Sequence, residues 1–346
     1  MKKKNKKRCS LHPDRFLTRK CFRCKKEICL KCTYKRFHHY FCSTKCAYLF
    51  IYEEFKKKKI YQEPLSYPQV KIVFSFFILL FFVSIFMLYT RPTLEKKEYF
   101  LKKIYIKESS FPFSYDGSII RFNTDKKEIY LTFDGGSYAQ RYKVILNVLK
   151  KHNIKASFFL TGEFMKKFKE VVKKIVADSH EVLNHTYSHP HLTTYSINGK
   201  NFTIEALLPE KVFGELFKTE ELFKEITGEN MKLIWRAPYG EENKEIRKWA
   251  GRMGYVHVRW TYDFLDWKSV KDYETRFENF LKIKDKKGYI LLLHLGSPGN
   301  DTAEYRIFLE NLIKELKKEG YVFKKISEGI EEYLWVRERY LKNLKF

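Results

Sequence analysis

The sequence predicts an α/β protein. A parallel sheet covered by helices, open or closed as a barrel, follows a small metal-binding module and one membrane-spanning helix. Three observations lead there. From about Glu128, short apolar runs alternate with amphipathic stretches, the pattern of repeated strand–helix units. All seven Cys lie before residue 47. Between these blocks runs an uncharged stretch of 18 residues, Ile72 to Tyr89. The chain therefore divides into a module at 1–46, a juxtamembrane linker at 47–71, a span at 72–90, a stalk at 91–125 and a large block at 126–340.

At 346 residues, 44% hydrophobic and 32% charged, the chain has material for two or three folded domains, which excludes wholesale disorder. Lys+Arg number 68 against 41 Asp+Glu, a net charge of +27. Residues 1–71 hold 21 basic and 5 acidic side chains, so +16 sits in the first fifth. Such an excess points to nucleic acid or an anionic membrane surface. No aromatic-interleaved recognition pattern accompanies it, so nucleic acid is not an expected partner. The Lys2–Arg8 tract reads as a solvated tail.

The Cys spacing is Cys9-x2-His12, Cys21-x2-Cys24, Cys29-x2-Cys32 and Cys42-x3-Cys46. Four pairs give eight ligands, enough to close two tetrahedral zinc sites. An odd number of Cys argues against a disulfide framework. So short a block buries little core, and metal would supply its folding energy. The pattern resembles the B-box class of zinc fingers over residues 9–46. That resemblance implies interleaved pairs, with Cys9, His12, Cys29 and Cys32 on one zinc and Cys21, Cys24, Cys42 and Cys46 on the other. His38 or His39 with Cys42 is the competing choice for the last pair. B-box-like modules bind proteins, which implies a cytosolic partner.

The run from Ile72 to Tyr89 is bracketed by Lys71 and Arg91. It would cover roughly 27 Å as a helix, close to the hydrocarbon thickness of a bilayer. The 71 residues before it, and the lack of a small-residue cleavage site after it, disfavour a signal peptide. Flanking charges do not settle its orientation. The dense charge and clustered thiols of the N-terminal block favour a cytoplasmic N-terminus and an extracytoplasmic C-terminal domain.

In the large block, strands are expected at Glu128–Phe133, Ala156–Leu160, Glu181–Asn184, Lys232–Trp235, Tyr255–Val258, Tyr289–Leu293 and Tyr321–Phe323. Helical periodicity fills Tyr138–His152, Glu163–Ala177, Phe213–Thr227, Asn243–Arg252 and Thr302–Glu319. Asp134, His185, Arg236, the Asp263/Asp266 pair and His294 each follow a strand directly or closely. In a β/α barrel those carboxyl ends share one face, so five distant segments converge.

These residues resemble the five motifs of the NodB-homology polysaccharide deacetylases. They are Thr132-Phe133-Asp134-Gly135-Gly136, the His-x3-His of His185 to His189, Arg236-Ala237-Pro238-Tyr239, Asp263-Phe264-Leu265-Asp266-Trp267, and Leu291-Leu292-Leu293-His294. They stand in the family's order across roughly residues 120–335, and Ser157 to Gly162 matches a common family strand. The resemblance implies a distorted (β/α) barrel of the NodB type. Its implied activity is removal of acetyl groups from peptidoglycan or an N-acetylglucosamine-type glycan, acting on carbon–nitrogen bonds other than peptide bonds.

By the same resemblance Asp134 is the general base and His294 the general acid. Arg236 holds the Asp134 carboxylate by paired hydrogen bonds, and the Tyr239 N–H stabilises the oxyanion. Asp266 orients His294 and raises its pKa. Trp267 walls the sugar groove and Leu291 the acetyl methyl pocket. His185 and His189, spaced i, i+4, would aim both imidazoles at one divalent ion from a single helical turn. The family has a second Asp, its third metal ligand, where this chain has Gly135. Water or a neighbour such as Asn184 or His191 could complete the site, the metal could bind weakly, or metal and reaction could be lost. The persistence of base, acid, Arg236 and both His favours a membrane-anchored, metal-assisted hydrolase. The alternative is a weak or inactive glycan-binding scaffold on the same fold.

Overall fold

The computed structural model describes residues 117–297 and 301–332, with most of 14–29 and parts of 34–53. The expected span and most of the linker and stalk lie outside the described residues. No described helix is long and apolar enough to cross a membrane. The N-terminal unit has two antiparallel hairpins, β1 (Arg19–Lys20) with β2 (Glu27–Ile28) and β3 (Tyr34–Arg36) with β4 (His39–Phe41).

The C-terminal unit is one parallel sheet of nine strands. In chain order they are β5 (Ser118–Ile119), β6 (Glu128–Gly135), β7 (Ser157–Leu160), β8 (Glu181–Asn184), β9 (Ile234–Trp235), β10 (Val256–Val258), β11 (Tyr262–Asp263), β12 (Tyr289–His294) and β13 (Val322–Lys324). Side by side they run β11-β12-β6-β7-β8-β9-β10-β5, with β13 also paired to β6. The ends of this path share no ladder, so the sheet is an open half-barrel. The chain leaving β5 crosses to β12 by a single antiparallel bridge, Arg121 to Tyr289.

Strand alternation divides the core. Ile129, Leu131 and Phe133 of β6, Phe158 and Leu160 of β7, and Leu291 and Leu293 of β12 face outward. There they meet α1 (Tyr142–Lys151), α2 (Gly162–Lys167), α3 (Lys169–Ala177), α7 (Val270–Leu281) and α8 (Thr302–Lys318). Tyr130, Phe159, Leu183, Ile234, Val258 and Ile290 face inward and fill the barrel floor. A third cluster packs α5 (Pro209–Thr227) and α6 (Lys244–Arg252) around Trp235 and Tyr255. The remaining helix is the single turn α4 (Tyr195–Asn198).

Local chemistry sets the helix ends. The Thr161, Asn243 and Ser269 side chains accept N–H bonds at the starts of α2, α6 and α7. Pro209 opens α5 and Gly228, at φ 76°, closes it. The helix expected over Glu163–Ala177 breaks in two at Phe168, whose φ of −123° and ψ of 50° leave the helical region. Its ring packs on Phe164, with centroids 4.9 Å apart. The expected strands all form. The two-residue β5 and β11, and helix α7, were not anticipated.

Gly288 lets β12 begin. Its φ is +69°, and a Cβ there would lie 1.9 Å from the Phe122 carbonyl oxygen. Gly288→Ala is therefore expected to lower unfolding free energy by roughly 2–4 kcal/mol, combining left-handed strain with overpacking against backbone. An unchanged urea midpoint would show that the Phe122 segment yields freely.

Candidate active site

Register creates the site. Asp134, last but one in β6, lies directly across from His294 of β12. On the other side, Leu160 of β7 is level with Asn184 of β8, which is level with Trp235 of β9. His185 and Arg236 follow those last two residues. Asp134 shares the inward face with Tyr130 and Thr132, so its carboxylate enters the mouth of the half-barrel.

Arg236 is fully buried and holds Asp134 by one bond, Nη1 to Oδ1 at 2.5 Å. The paired hydrogen bonds expected between these two groups do not form, because the rest of the guanidinium is engaged elsewhere. Nη1 also reaches Thr132 Oγ1 at 3.0 Å, Nη2 the Arg259 carbonyl at 3.0 Å and Nε the Val258 carbonyl at 3.4 Å. The guanidinium lies 3.9 Å over the Phe159 ring. It is thus a fixed strut on which the carboxylate rests.

His185 Nδ1 is 2.9 Å from the Arg236 carbonyl. A carbonyl only accepts, so Nδ1 carries the proton and Nε2 keeps its lone pair. That Nε2 stands 3.6 Å from Asp134 Oδ2. The His189 ring lies 4.9 Å from the His185 ring. Burial lowers both pKa values, with His189 pushed down to about 3 by burial and then by His185 and His294. Two neutral imidazoles beside a carboxylate oxygen form a donor set that fits a divalent ion.

The two imidazoles do not meet through a helical turn. Residues 185–189 are irregular, and Thr186 (φ 66°) and His189 (φ 56°) are left-handed. Hydrogen bonds hold this backbone in place. Thr186 N–H donates to Asn184 Oδ1, while the Thr186 and Tyr187 carbonyls accept from Gly162 and Glu163 N–H. The Tyr187 and Ser188 N–H groups both donate to Glu215. Gly162 is required because a Cβ there would overlap the Tyr187 ring at 2.1 Å.

Position 135 faces the outer cluster. A Cβ on Gly135 would stand 2.7 Å from Leu160 Cδ2 and 2.9 Å from Leu295 Cδ1. Asn184 does not make good the missing ligand. Its Oδ1 accepts from Thr186, and its Nδ2 donates to the Leu216 carbonyl and the Tyr255 hydroxyl. His191 uses Nδ1 on Glu241 at 2.8 Å and stacks on Tyr239 at 4.2 Å, the same ring that touches His189 at 4.4 Å.

The opposite wall carries His294. Its Nδ1 is 2.7 Å from Asp266 Oδ1, and its backbone N–H donates to Asp266 Oδ2 at 2.8 Å. Burial works against a charged His294, but Asp266 outweighs it and the pKa is raised. Four residues that motif reading missed complete this wall. Arg141 and Tyr305 donate to Asp266 Oδ2 at 3.2 and 2.9 Å, and Arg141 is itself held by Ser297 and Asp301. Arg141 and Tyr305 sit on or beside helices with no motif to flag them. Asp263, whose pKa burial raises, lies nearby and caps Leu265 N–H at 2.8 Å.

Tyr239 sits at the apex of a tight turn with φ 57° and an exposed ring, and Trp267 is also exposed at the rim. Leu291 is not where the acetyl pocket was expected. It points outward into the α1/α7/α8 cluster, while Leu292 has the parity of His294. Strand periodicity of two makes the difference.

In the N-terminal unit Cys21, Cys24, Cys42 and Cys46 bring four sulfurs within 4.8 Å of one another. Cys24 to Cys42 is 3.6 Å and Cys42 to Cys46 is 3.4 Å. Tetrahedral Zn–S bonds of ~2.3 Å would separate sulfurs by about 3.8 Å. His39 is not in this set, since its ring stacks on Phe22 at 3.7 Å. Cys29 is buried, but Cys9, His12, Cys32 and His38 lie outside the described side chains.

Residues 121–258 match the polysaccharide deacetylase family. The chain is 34% identical over 208 residues to the peptidoglycan-N-acetylmuramic acid deacetylase PdaA of Bacillus subtilis, covering 60% of this chain and 72% of that one. The solved structure of PdaA, a family 4 carbohydrate esterase, superposes with a TM-score of 0.54 at 32% identity, covering 63% and 86%. A peptidoglycan-N-acetylglucosamine deacetylase of Bacillus cereus is 36% identical over 199 residues, 58% and 66% of the two chains. A CE4-family pseudoenzyme from Bacillus anthracis superposes at 0.51 with 28% identity, covering 62% and 68%. The family match ends before Asp266 and His294, yet β12 sets His294 against Asp134 in the same mouth, and with nearly three quarters of PdaA spanned the chain belongs to the polysaccharide deacetylase family.

Proposed function

We propose that this chain is a membrane-anchored, metal-assisted enzyme that removes N-acetyl groups from peptidoglycan or a related N-acetylglucosamine-type glycan. One observation supports it above the rest: an Arg-held carboxylate and an Asp-held imidazole stand on neighbouring strands at one mouth, with two neutral His beside the carboxylate. That is the separation of base and acid that amide hydrolysis needs.

Asp134 accepts a proton from the attacking water, steadied by Arg236. Water oxygen bonds to the acetyl carbon, and the Tyr239 N–H stabilises the oxyanion. The carbon–nitrogen bond then breaks as His294 gives its proton to the departing amine, releasing acetate. His185 and His189, with Asp134 Oδ2 beside them, would hold the ion, which supplies Lewis acidity toward water and carbonyl. Trp267 borders the sugar groove, and Leu292, on the same strand face as His294, borders the acetyl methyl.

Gly135 favours a second reading, a weak or inactive glycan-binding scaffold, and one solved relative is a CE4-family pseudoenzyme. Activity separates the two. The purified chain with added divalent ions should release acetate from acetylated peptidoglycan or chitooligosaccharide, and Asp134→Asn should slow release roughly 100- to 10,000-fold. Absence of release with every ion tried would leave the scaffold.

His294 must be protonated to act, so activity falls as pH rises through its raised pKa. The same pairing stabilises the fold fully below the unfolded pKa near 6.5, and that stability is lost as pH climbs through the folded value. Asp266→Asn should move the basic limb of the kcat/KM profile down by about one pH unit or more. An unmoved limb would free His294 of Asp266 control.

In the N-terminal module, Cys21, Cys24, Cys42 and Cys46 hold one zinc and Cys9, His12, Cys29 and Cys32 a second, in a cytosolic unit that binds a protein partner. Residues 72–90 form the anchor, with the catalytic unit outside. Phe50 speaks for another arrangement, since it packs against both the module core and the α5/α6 cluster. That contact needs both units on one side of the bilayer. An impermeant thiol reagent should leave zinc in place on intact cells and release two ions per chain after lysis. Release from intact cells would put the module outside.

A further inference from the structure

Glu215 sits on α5, 26 residues beyond His189 in sequence, in none of the five motifs. Its Oε2 accepts the Tyr187 N–H at 2.8 Å and the Ser188 N–H at 2.7 Å. Its Oε1 accepts the Ser188 hydroxyl at 3.0 Å. Two successive N–H groups flanked by left-handed residues form a concave anion cradle, and the Glu215 carboxylate fills it. Thr186 is β-branched, so φ 66° is costly for it. Such a conformation persists only where its surroundings over-determine it. Gly162, Glu163 and Asn184 secure the first half of the loop. Among the described residues, Glu215 alone accepts the N–H groups at 187 and 188, immediately before His189.

We infer that Glu215 is a positioning residue for the divalent-ion site: its carboxylate fixes the 186–189 backbone so that His185 and His189 present their imidazoles together. His185 is already set by the Arg236 carbonyl, so Glu215 governs chiefly where His189 stands. This rests on the reading of these two His as ion ligands. With no carboxylate at 135, the donors left are the two His and the Asp134 Oδ2 beside them, and the chain's hold on the ion depends more on the relative placement of the imidazoles.

The test uses the full chain in detergent, titrated with Co2+, with His185→Ala as the reference for ions taken by the cysteines. Wild type should bind one more ion than His185→Ala. If it does not, the ion-site reading fails and Glu215 is not at issue. Given that difference, Glu215→Ala should weaken the extra site roughly 10- to 100-fold, the usual effect of losing a partner that orients ligands. Glu215→Gln keeps one carbonyl oxygen for both N–H groups and can donate to Ser188, so it should stay within about five-fold of wild type. Amide exchange provides a readout that needs no metal. Ser188 is exposed, yet its N–H should exchange slowly in wild type and fast in Glu215→Ala. Wild-type Co2+ affinity in a folded Glu215→Ala chain, a loss in Glu215→Gln as large as in the alanine variant, or fast Ser188 exchange in wild type would each overturn the assignment.

Discussion

A guanidinium without solvent contact anchors the pocket. Arg236 spends its donors on Asp134, Thr132 and the carbonyls of Val258 and Arg259, and so ties β6 to the end of β10 through the barrel mouth. Removing one partner from such a buried pair usually costs about 3–5 kcal/mol, because the other charge is stranded. The pair is thus both scaffold and chemistry. Its own carbonyl fixes the tautomer of His185, so one residue sets the orientation of the carboxylate and the protonation pattern of its neighbour.

The other wall is built with the signs reversed. Asp266 lies under His294 and receives Arg141 and Tyr305 from behind. An anion backs the imidazole, while a cation backs Asp134. No side-chain hydrogen bond among those described joins the Arg236–Asp134 pair to the His294–Asp266 pair, but Asp134 adds to Asp266 in raising the His294 pKa. The sheet brings them together only through the β6–β12 register, in which Asp134 and His294 are direct neighbours.

Much of this was legible in the sequence, because strand–helix alternation and the polar residue after each strand are local signals. The errors came where a local signal was extended too far. An i, i+4 spacing is helical only if the backbone is, and Thr186 and His189 are left-handed. Leu291 and Leu292 are chemically alike, and only the parity counted from His294 separates them. Helix α7 buries just Tyr273 and Phe280, too few apolar positions to announce a helix. Strands β5 and β11 have two residues each, too short for alternation to be read. Arg141 and Glu215 act on partners 125 and 28 residues away, pairings that no spacing rule encodes.

The bend carrying His185 and His189 has a consequence for the order of assembly. Its bonds come from the start of α2, the end of β8 and the middle of α5, three elements spread over more than fifty residues. None of them can hold the bend alone, and its backbone is unfavourable in a free chain. A nascent polypeptide therefore gains its grip on an ion only after the surrounding layers have docked. Capture of the ion then reports a finished fold rather than guiding its formation, the reverse of what four clustered thiols would do in the N-terminal module.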